Sequence, residues 1–546
     1  MPEERKNGLL QPRDLAVYHE RTRRRGVHPL VYWPVRWVVK NLILVYFRLR
    51  RLGREHIPDG GVVLAANHRS FLDPFAIGCC LPRPIYFLAK QEMFKNPILG
   101  WLLNCMGAFP IRRGESDDES MKTALALLER GDAVVIFPEG TRIKAGSLAK
   151  PKRGVGRLAL QSGAPVVPIA VAGSERARAG WRIRPVKVHV RCGPPLTFPQ
   201  VEDPSPFLAG EVTERIWPCV GLQWEWLGGL PPLRRAAVVG AGSMGTAAAV
   251  MLARAGLDVQ LGCRTAAQAE RLDADRENTR YLPRVTLDKA IRCRTVPEIE
   301  FAGVDLVVMA VPCGDLPAAV GEIGAHVGER SAVLVASRGL VPPLGTTPTA
   351  YVAERVRARA VASLAGPAHA REAIEVGASV VVATHDLDLR RQLREVLEAG
   401  GLTVEATDDV TGAELAAAAK NAAALAGAAA GTRGTNLAGA AAGRVFSEVH
   451  ELAVASGGRS ETFAGLAGAG DLVATVMAEG DRIGAAAHQT AESLATVPLL
   501  TEAFAREGIE APVTSGLRRV LEGETSPEQW LESVRSAKPK RHTRAA

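Results

Sequence analysis

Short, fully apolar runs recur along this chain, each closed by glycine, proline or a polar cluster. Val62-Val63-Leu64-Ala65-Ala66 is the first, followed by Pro84–Leu88, Ala133–Phe137 and Val166–Val171; Val186–Val190, interrupted by Lys187 and His189, is expected as a further strand. Runs of this kind read as strands buried on both faces of a sheet, with helical crossovers between them. Residues 29–227 are therefore expected to form an α/β domain, ending in a helical stretch near Val212–Leu227. Gly228-Gly229-Leu230-Pro231-Pro232 then interrupts the pattern and places a linker at 228–234. A second α/β domain is expected over 235–409, with strands at Arg235–Val239, Val259–Leu261, Leu306–Ala310 and Ala332–Ala336 and a helix at Thr246–Ala255. Beyond about residue 410 the chain is rich in alanine and glycine and shows no further strand pattern, so 410–535 is expected to be all-helical. Residues 1–28 read as a basic arm and 536–546 as a disordered basic tail.

Residues 29–47 depart from this pattern. Trp33, Trp37, Leu44 and Phe47 make the stretch lipid-like, yet Arg36, Lys40 and Asn41 would stand near the middle of a membrane span, where charge is costly. Arg36 and Lys40 are four apart and share one helical face. Basic runs flank the segment at Arg21–Arg25 and Arg48–Arg51. The reading is a helix lying in a membrane interface; the alternative is an ordinary buried helix with two snorkelling cations. Charge placement supports the first. The net charge of +9 divides unevenly: residues 1–230 hold 34 Lys and Arg against 21 Asp and Glu, and the remainder holds 33 against 37. A basic first half suits anionic lipid and phosphate esters, and no nucleic-acid-binding motif accompanies it. Eight cysteines with no C-x2-C pair speak against a zinc site or a disulfide framework and fit a reducing cytoplasm. With no secretory leader at the start, the expected location is the cytoplasm, at the inner face of the cell membrane.

The candidate chemistry sits at strand ends. His68 follows the first apolar run, and Asp73 stands five positions on. A histidine there can act as a base, and the carboxylate can hold its tautomer and stabilise the imidazolium. No protein nucleophile accompanies the pair, so a substrate hydroxyl would attack. A structural His–Asp pair at a helix start is the alternative. Arg112-Arg113 after Gly107–Ile111, and Arg142 after Phe137-Pro138-Glu139-Gly140-Thr141, add cations suited to phosphate. These blocks, with Val166-Val167-Pro168-Ile169-Ala170, resemble the glycerol-phosphate and lysophosphatidate acyltransferase family over residues 30–225. The resemblance implies that His68 is the general base and Asp73 its partner. It implies that Arg113, Glu139, Gly140 and Arg142 hold a phosphate-bearing acceptor, and that the acyl donor is a thioester of coenzyme A or acyl carrier protein. Lysophosphatidate-specific members often carry Asp-Arg where this chain has Arg112-Arg113, a form more like the glycerol-3-phosphate acylators.

Gly240, Gly242 and Gly245 follow the Arg235–Val239 run and open a helix, the context in which G-x-G-x-x-G holds a dinucleotide pyrophosphate. Val259-Gln260-Leu261-Gly262-Cys263-Arg264 ends in arginine rather than an acid, which leans towards a 2′-phosphorylated cofactor at Arg264. Lys420 is the one charged residue of Leu415–Thr432, where desolvation would lower its pKa and suit proton donation to a carbonyl; a snorkelling lysine is the alternative. Gly465–Leu472 lacks a preceding strand and reads as a turn presenting Asp471.

The glycine turn, Glu277-Asn278 with Arg280–Pro283, Gly366-Pro367, Glu414-Leu415 with Lys420-Asn421, and Gly465–Leu472 with Thr475 together resemble the bacterial NAD(P)-dependent glycerol-3-phosphate dehydrogenases over residues 235–525. The resemblance implies a Rossmann domain followed by a helical substrate domain. It implies reduction of dihydroxyacetone phosphate with Lys420 as the acid/base, substrate positioned by Asn421, Asp471 and Thr475, and phosphate or cofactor met by Arg482. Gly240, Gly242, Ser243, Met244, Gly245, Arg264 and Arg338 would hold NADP(H) or NAD(H). Two positions depart from the family: arginine stands at 338 where lysine is usual, and the usual Arg-Asn pair is Arg482-Ile483. The expectation is a two-step enzyme of phospholipid synthesis, with a possible homodimer through the helical domain; the alternative is an acyltransferase carrying a nucleotide-binding regulatory module.

Overall fold

The computed structural model describes residues 12–111, 118–143, 145–179, 182–431, 433–480 and 491–536. The chain divides into two compact units, Met1–Pro232 and Leu233–Ala546.

The first unit is built on a seven-stranded sheet. Its order is Arg50–Leu52, His189–Cys192, Val166–Ala172, Val62–Ala66, Ala133–Ile136, Ile85–Lys90 and Ala108–Ile111. Neighbours run parallel except at Val166–Ala172 against His189–Cys192. Val62–Ala66 lies at the centre and is fully buried, which is why its sequence is apolar without alternation. The last expected strand, Val186–Val190, begins later, at His189, and the closing helix begins earlier, at Pro206. Pro206 needs no amide partner in the first helical turn, and the Ser205 hydroxyl accepts from the Leu208 amide.

The expected interfacial segment is a helix, Pro29–Tyr46. Tyr32 and Ile43 point into the unit. Arg36 turns inward as well, donating to the Leu81 and Arg83 carbonyls and to the Tyr32 hydroxyl. Leu30, Trp37, Val38, Leu42 and Val45 are left exposed, Trp37 at 70% and Val45 at 77%. The helix thus satisfies Arg36 with protein carbonyls while an apolar stripe faces outward. No helix among the described residues is long and apolar enough to cross a membrane.

The second unit carries an eight-stranded sheet ordered Ile291–Thr295, Asp258–Cys263, Arg235–Val239, Leu306–Met309, Ala332–Val335, Ala360–Ala365, Ser379–Ala383 and Thr403–Thr407. Numbered by sequence, its first six strands lie in the order 3-2-1-4-5-6 of a doubly wound Rossmann domain. Ser379–Ala383 is antiparallel to Ala360–Ala365. The described residues after 409 are mainly helical, led by the long helices Val410–Gly431 and Thr435–Ala455. Their small residues pack into one buried cluster with Val497, Leu500, Phe504 and Trp530. The Glu414 carboxylate joins the helical part to the sheet part by accepting from the Thr349 amide and hydroxyl, and full burial pushes its pKa up to about 7.

Candidate active sites

In the first unit Asn67 follows the central strand, and its side-chain amide pairs both ways with the backbone of Val171, at 3.0 and 2.7 Å. This fixes the exit of the chain, and His68 comes next. Its Nδ1 stands 2.8 Å from Asp73 Oδ2. The same oxygen accepts from the Arg69 and Ser70 amides at 2.6 and 2.7 Å, and Oδ1 accepts from the Ser174 hydroxyl at 2.6 Å. Asp73 is completely buried. A carboxylate can only accept, so the pair is complete with the proton on Nδ1, which leaves Nε2 its lone pair. Phe137 stacks on the imidazole, ring centroids 4.1 Å apart.

Glu139 is not free to meet a ligand. Its Oε2 accepts from the His68 amide at 2.6 Å and its Oε1 from the Ala149 amide at 3.0 Å. Burial pushes its pKa up to about 7, while those two amides and Arg69 pull the other way. In place of the expected phosphate contact, Glu139 ties two loops together behind the histidine. Arg69 does similar work, donating to the Ile143 and Gly146 carbonyls with its guanidinium over the Trp224 ring.

His68 opens onto a cavity of about 660 Å³. Leu88, Ile111, Met121, Ile136 and Leu158 give it an apolar interior, and Lys152, Arg153 and Arg157 add positive charge. Gly140 lines it in a left-handed conformation, φ +67°, with the Lys152 side chain across it: Cε and Nζ lie 3.0 and 3.1 Å from where a Cβ would stand. Arg142 is exposed on the following loop and is not among the lining residues. Arg113 lies outside the described residues. Sequence reasoning missed Lys152 and Ser174, which come from loops distant in sequence from the motifs they meet.

In the second unit the glycine turn closes over the end of the first strand. Gly240 has φ +109°, and its amide donates to the Gly262 carbonyl. A Cβ on Gly245 would stand 1.8 Å from the Gly240 carbonyl oxygen, so only glycine lets helix Ser243–Arg254 start so close to the strand. A Cβ on Gly242 would meet nothing within 4 Å, which leaves open space at the helix N-terminus. That cradle fits a pyrophosphate. Ser243 donates to the Tyr281 carbonyl, Met244 is half-buried beside it, and Asn278 braces the turn through the Ala241 carbonyl and the Thr246 hydroxyl. Arg264 stands at the end of the second strand, where an adenosine ribose would lie.

The expected turn at 465–472 is instead a single π-helical turn, Leu466–Gly470, leading directly into helix Asp471–Gly480. Such a turn re-aims the residues that follow it. Asp471 is buried, and one oxygen, Oδ2, meets both Arg338 Nη1 at 3.0 Å and Lys420 Nζ at 3.4 Å. Arg338 also donates to the Gly366 carbonyl, and Asn421 donates to the Arg338 carbonyl. Burial first, and the neighbouring Arg338 second, pull the Lys420 pKa below its ordinary value; Asp471 and Glu492 oppose them. Glu492, which sequence reasoning passed over, accepts from the Cys313 amide at 3.2 Å. Thr475 spends its hydroxyl on the Asp471 carbonyl one turn back. Arg482 lies outside the described residues.

Comparison with known proteins divides the chain in the same order. Residues 48–172 match the family described as acyltransferase. Residues 235–389 and 409–532 match the N-terminal and C-terminal parts of NAD-dependent glycerol-3-phosphate dehydrogenase. A glycerol-3-phosphate dehydrogenase [NAD(P)+] of Thermus thermophilus is 34% identical over 325 residues, 56% of this chain and 99% of that protein. One of Brucella canis is 29% identical over 312 residues, 55% of this chain and 96% of that protein. Among solved structures, a glycerol-3-phosphate dehydrogenase from Coxiella burnetii is 26% identical and superposes with a TM-score of 0.51 over 56% of this chain and 100% of its own. The chain belongs to the NAD-dependent glycerol-3-phosphate dehydrogenase family, and it carries an acyltransferase-family segment ahead of that part.

Proposed function

We propose that this chain catalyses two reactions of phospholipid synthesis: NAD(P)H-dependent reduction of dihydroxyacetone phosphate to sn-glycerol 3-phosphate, and transfer of an acyl group to glycerol 3-phosphate or its monoacyl derivative. The observation that carries the reading is that each unit places a proton-handling group beside a buried carboxylate, His68 on Asp73 and Lys420 on Asp471.

In the first reaction Gly240, Gly242, Ser243, Met244 and Gly245 hold the dinucleotide, and Arg264 meets its adenosine end. When bound, the nicotinamide supplies a hydride. The protein's part is to polarise the ketone and protonate it. Asn421 orients the substrate beside Lys420, and Lys420 Nζ gives its proton to the carbonyl oxygen. In the second reaction His68 Nε2 takes the proton of the acceptor hydroxyl as that oxygen attacks the thioester carbonyl. Asp73 stabilises the imidazolium so formed, and the proton leaves with the thiol of coenzyme A or acyl carrier protein. The acyl chain suits the apolar interior of the cavity, and Lys152 and Arg153 suit the phosphate of the acceptor. The exposed stripe of the Pro29–Tyr46 helix, with exposed Ile98 and Trp101 on the Pro97–Cys105 helix, suits the membrane surface on which the product resides.

Purified full-length protein tests both halves. NADPH loss on adding dihydroxyacetone phosphate, and thiol release from acyl-CoA on adding glycerol 3-phosphate or lysophosphatidate, are the expected results. Absence of either activity removes that half. A second reading draws on Arg338, which cannot give up a proton, and on Ile483, which stands where the family has asparagine: the dehydrogenase part would bind NADPH as a regulatory module. NADPH binding without turnover, together with NADPH-dependent acyl transfer, would establish it.

A further inference from the structure

Arg264 directly follows the Asp258–Cys263 strand, and Asp315 comes six residues after the Leu306–Met309 strand. These strands flank Arg235–Val239 on its two sides. The two side chains therefore approach each other across the end of the strand that carries the glycine turn. Their guanidinium and carboxylate meet at 3.2 Å. The Arg264 amide donates to Gln268 Oε1, and Gln268 Nε2 donates to the Ala241 carbonyl, which ties Arg264 to the turn itself. Asp315 occupies the N-cap position of helix Leu316–Ile323 without a side-chain capping bond, so its carboxylate is available to face across to Arg264.

The strand before Arg264 ends without an acid. Read alone, it presents only a cation to an adenosine ribose. The fold supplies the missing acid from a loop about fifty residues later in the chain. A lone guanidinium selects a 2′-phosphate, whereas a guanidinium already paired with a carboxylate presents little net charge. Both partners are largely exposed, so the pair opens readily.

We propose that Asp315 is a specificity-determining residue for the cofactor: its carboxylate competes with a 2′-phosphate for Arg264 and offers an acceptor to a 2′-hydroxyl. The Arg264–Asp315 pair then lets one site accept both the phosphorylated and the unphosphorylated dinucleotide. The inference rests on the reading of Arg264 as the residue at the adenosine end.

The test is equilibrium binding to the full-length protein by calorimetry. The probes are adenosine 2′,5′-bisphosphate and 5′-AMP, which differ only in the 2′ group, followed by NADP⁺ and NAD⁺. Asp315→Asn is expected to tighten the bisphosphate by about three- to tenfold, without tightening 5′-AMP, and the gain is expected to shrink at high salt. Asp315→Ala should move the ratio of the two affinities in the same direction. Arg264→Gln should weaken the bisphosphate by about tenfold or more while sparing 5′-AMP. If both Asp315 variants leave the ratio unchanged while Arg264→Gln lowers it, the role of Asp315 is overturned. If Arg264→Gln also leaves it unchanged, the underlying assignment of Arg264 fails instead.

Discussion

The carboxylate of Asp73 can be stripped of its charge with little loss of hydrogen bonding, which makes Asp73→Asn the sharpest perturbation of the first unit. Oδ2 accepts three donors, the imidazole Nδ1–H and the Arg69 and Ser70 amides, while Oδ1 accepts one, the Ser174 hydroxyl. An asparagine can keep its amide oxygen at the crowded position and turn its NH₂ towards Ser174, whose hydroxyl reverses from donor to acceptor. The hydrogen bonds survive; the charge does not. A carboxylate beside a newly formed imidazolium contributes about 4 kcal/mol at about 4 Å and an effective dielectric near 20. That converts to about a thousandfold in rate. The expected result is a fall in acyl-transfer kcat of about 10³, with the acceptor KM within about threefold of the parent and NADPH oxidation by the same preparation unaffected. Asp73→Ala is the contrasting variant. It strands buried donors at about 1–3 kcal/mol each and should cost the unit its fold. If Asp73→Asn lowered kcat by less than tenfold, Asp73 would be a structural cap and the base assigned to His68 would act without it.

Lys420→Met should lower dehydrogenase turnover by about 10³ or more while NADPH affinity, read by fluorescence titration, stays within about threefold. Arg338 lowers the Lys420 pKa through its charge, so Arg338→Leu should move the limb of the kcat–pH profile at which Lys420 loses its proton to higher pH; an unmoved limb would assign that limb to another group. Lys152→Met should raise the acceptor KM of acyl transfer by about tenfold with kcat held, and Lys152→Arg should restore most of it; a pure kcat loss would place Lys152 elsewhere in the reaction. Trp37→Glu with Val45→Glu should abolish flotation with anionic vesicles while acylation of water-soluble glycerol 3-phosphate persists; unchanged flotation would remove the helix from the membrane contact.

What was legible beforehand was local. His68 and Asp73 are five residues apart and bracket one strand–helix junction, so their contact is visible in the spacing. The glycine turn is likewise continuous in sequence, and its neighbours Val238, Val239 and Thr246 complete the strand–turn–helix context. What escaped came from afar. Ser174 reaches Asp73 from 101 positions away, and Lys152 lies across Gly140 after a loop with no periodic signal. Edge strands escaped for a different reason. Ile291–Thr295 alternates apolar residues with arginines, and Thr403–Thr407 is half polar, because each has only one strand neighbour. Ser379–Ala383 is a plainer miss: its three consecutive valines carry as strong a strand signal as the central strands. Glu139 shows the converse error. A carboxylate between Pro138 and Gly140 looks exposed to ligand in the sequence, yet both of its oxygens are taken by backbone amides.

The arginine at 338 looked from the sequence like a defect in a site that usually holds lysine there, and its geometry argues otherwise. Arg338 and Lys420 approach the same oxygen of a buried carboxylate, at 3.0 and 3.4 Å. Burial and the mutual repulsion of the two cations outweigh the pull of Asp471 and Glu492, so the cluster is most easily relieved by losing a proton. With two lysines, either ammonium could release it. With arginine at 338 only Lys420 can, because a guanidinium stays charged at any accessible pH. The closer arginine also holds Asp471 by the tighter contact and secures itself on the Gly366 carbonyl, leaving Lys420 the looser and more acidic partner. The substitution thus keeps the positive field that a phosphate-bearing ketone requires and assigns the movable proton to one residue. A dehydrogenase part with this arrangement is equipped for turnover, and the regulatory reading would have to find its reason outside Arg338.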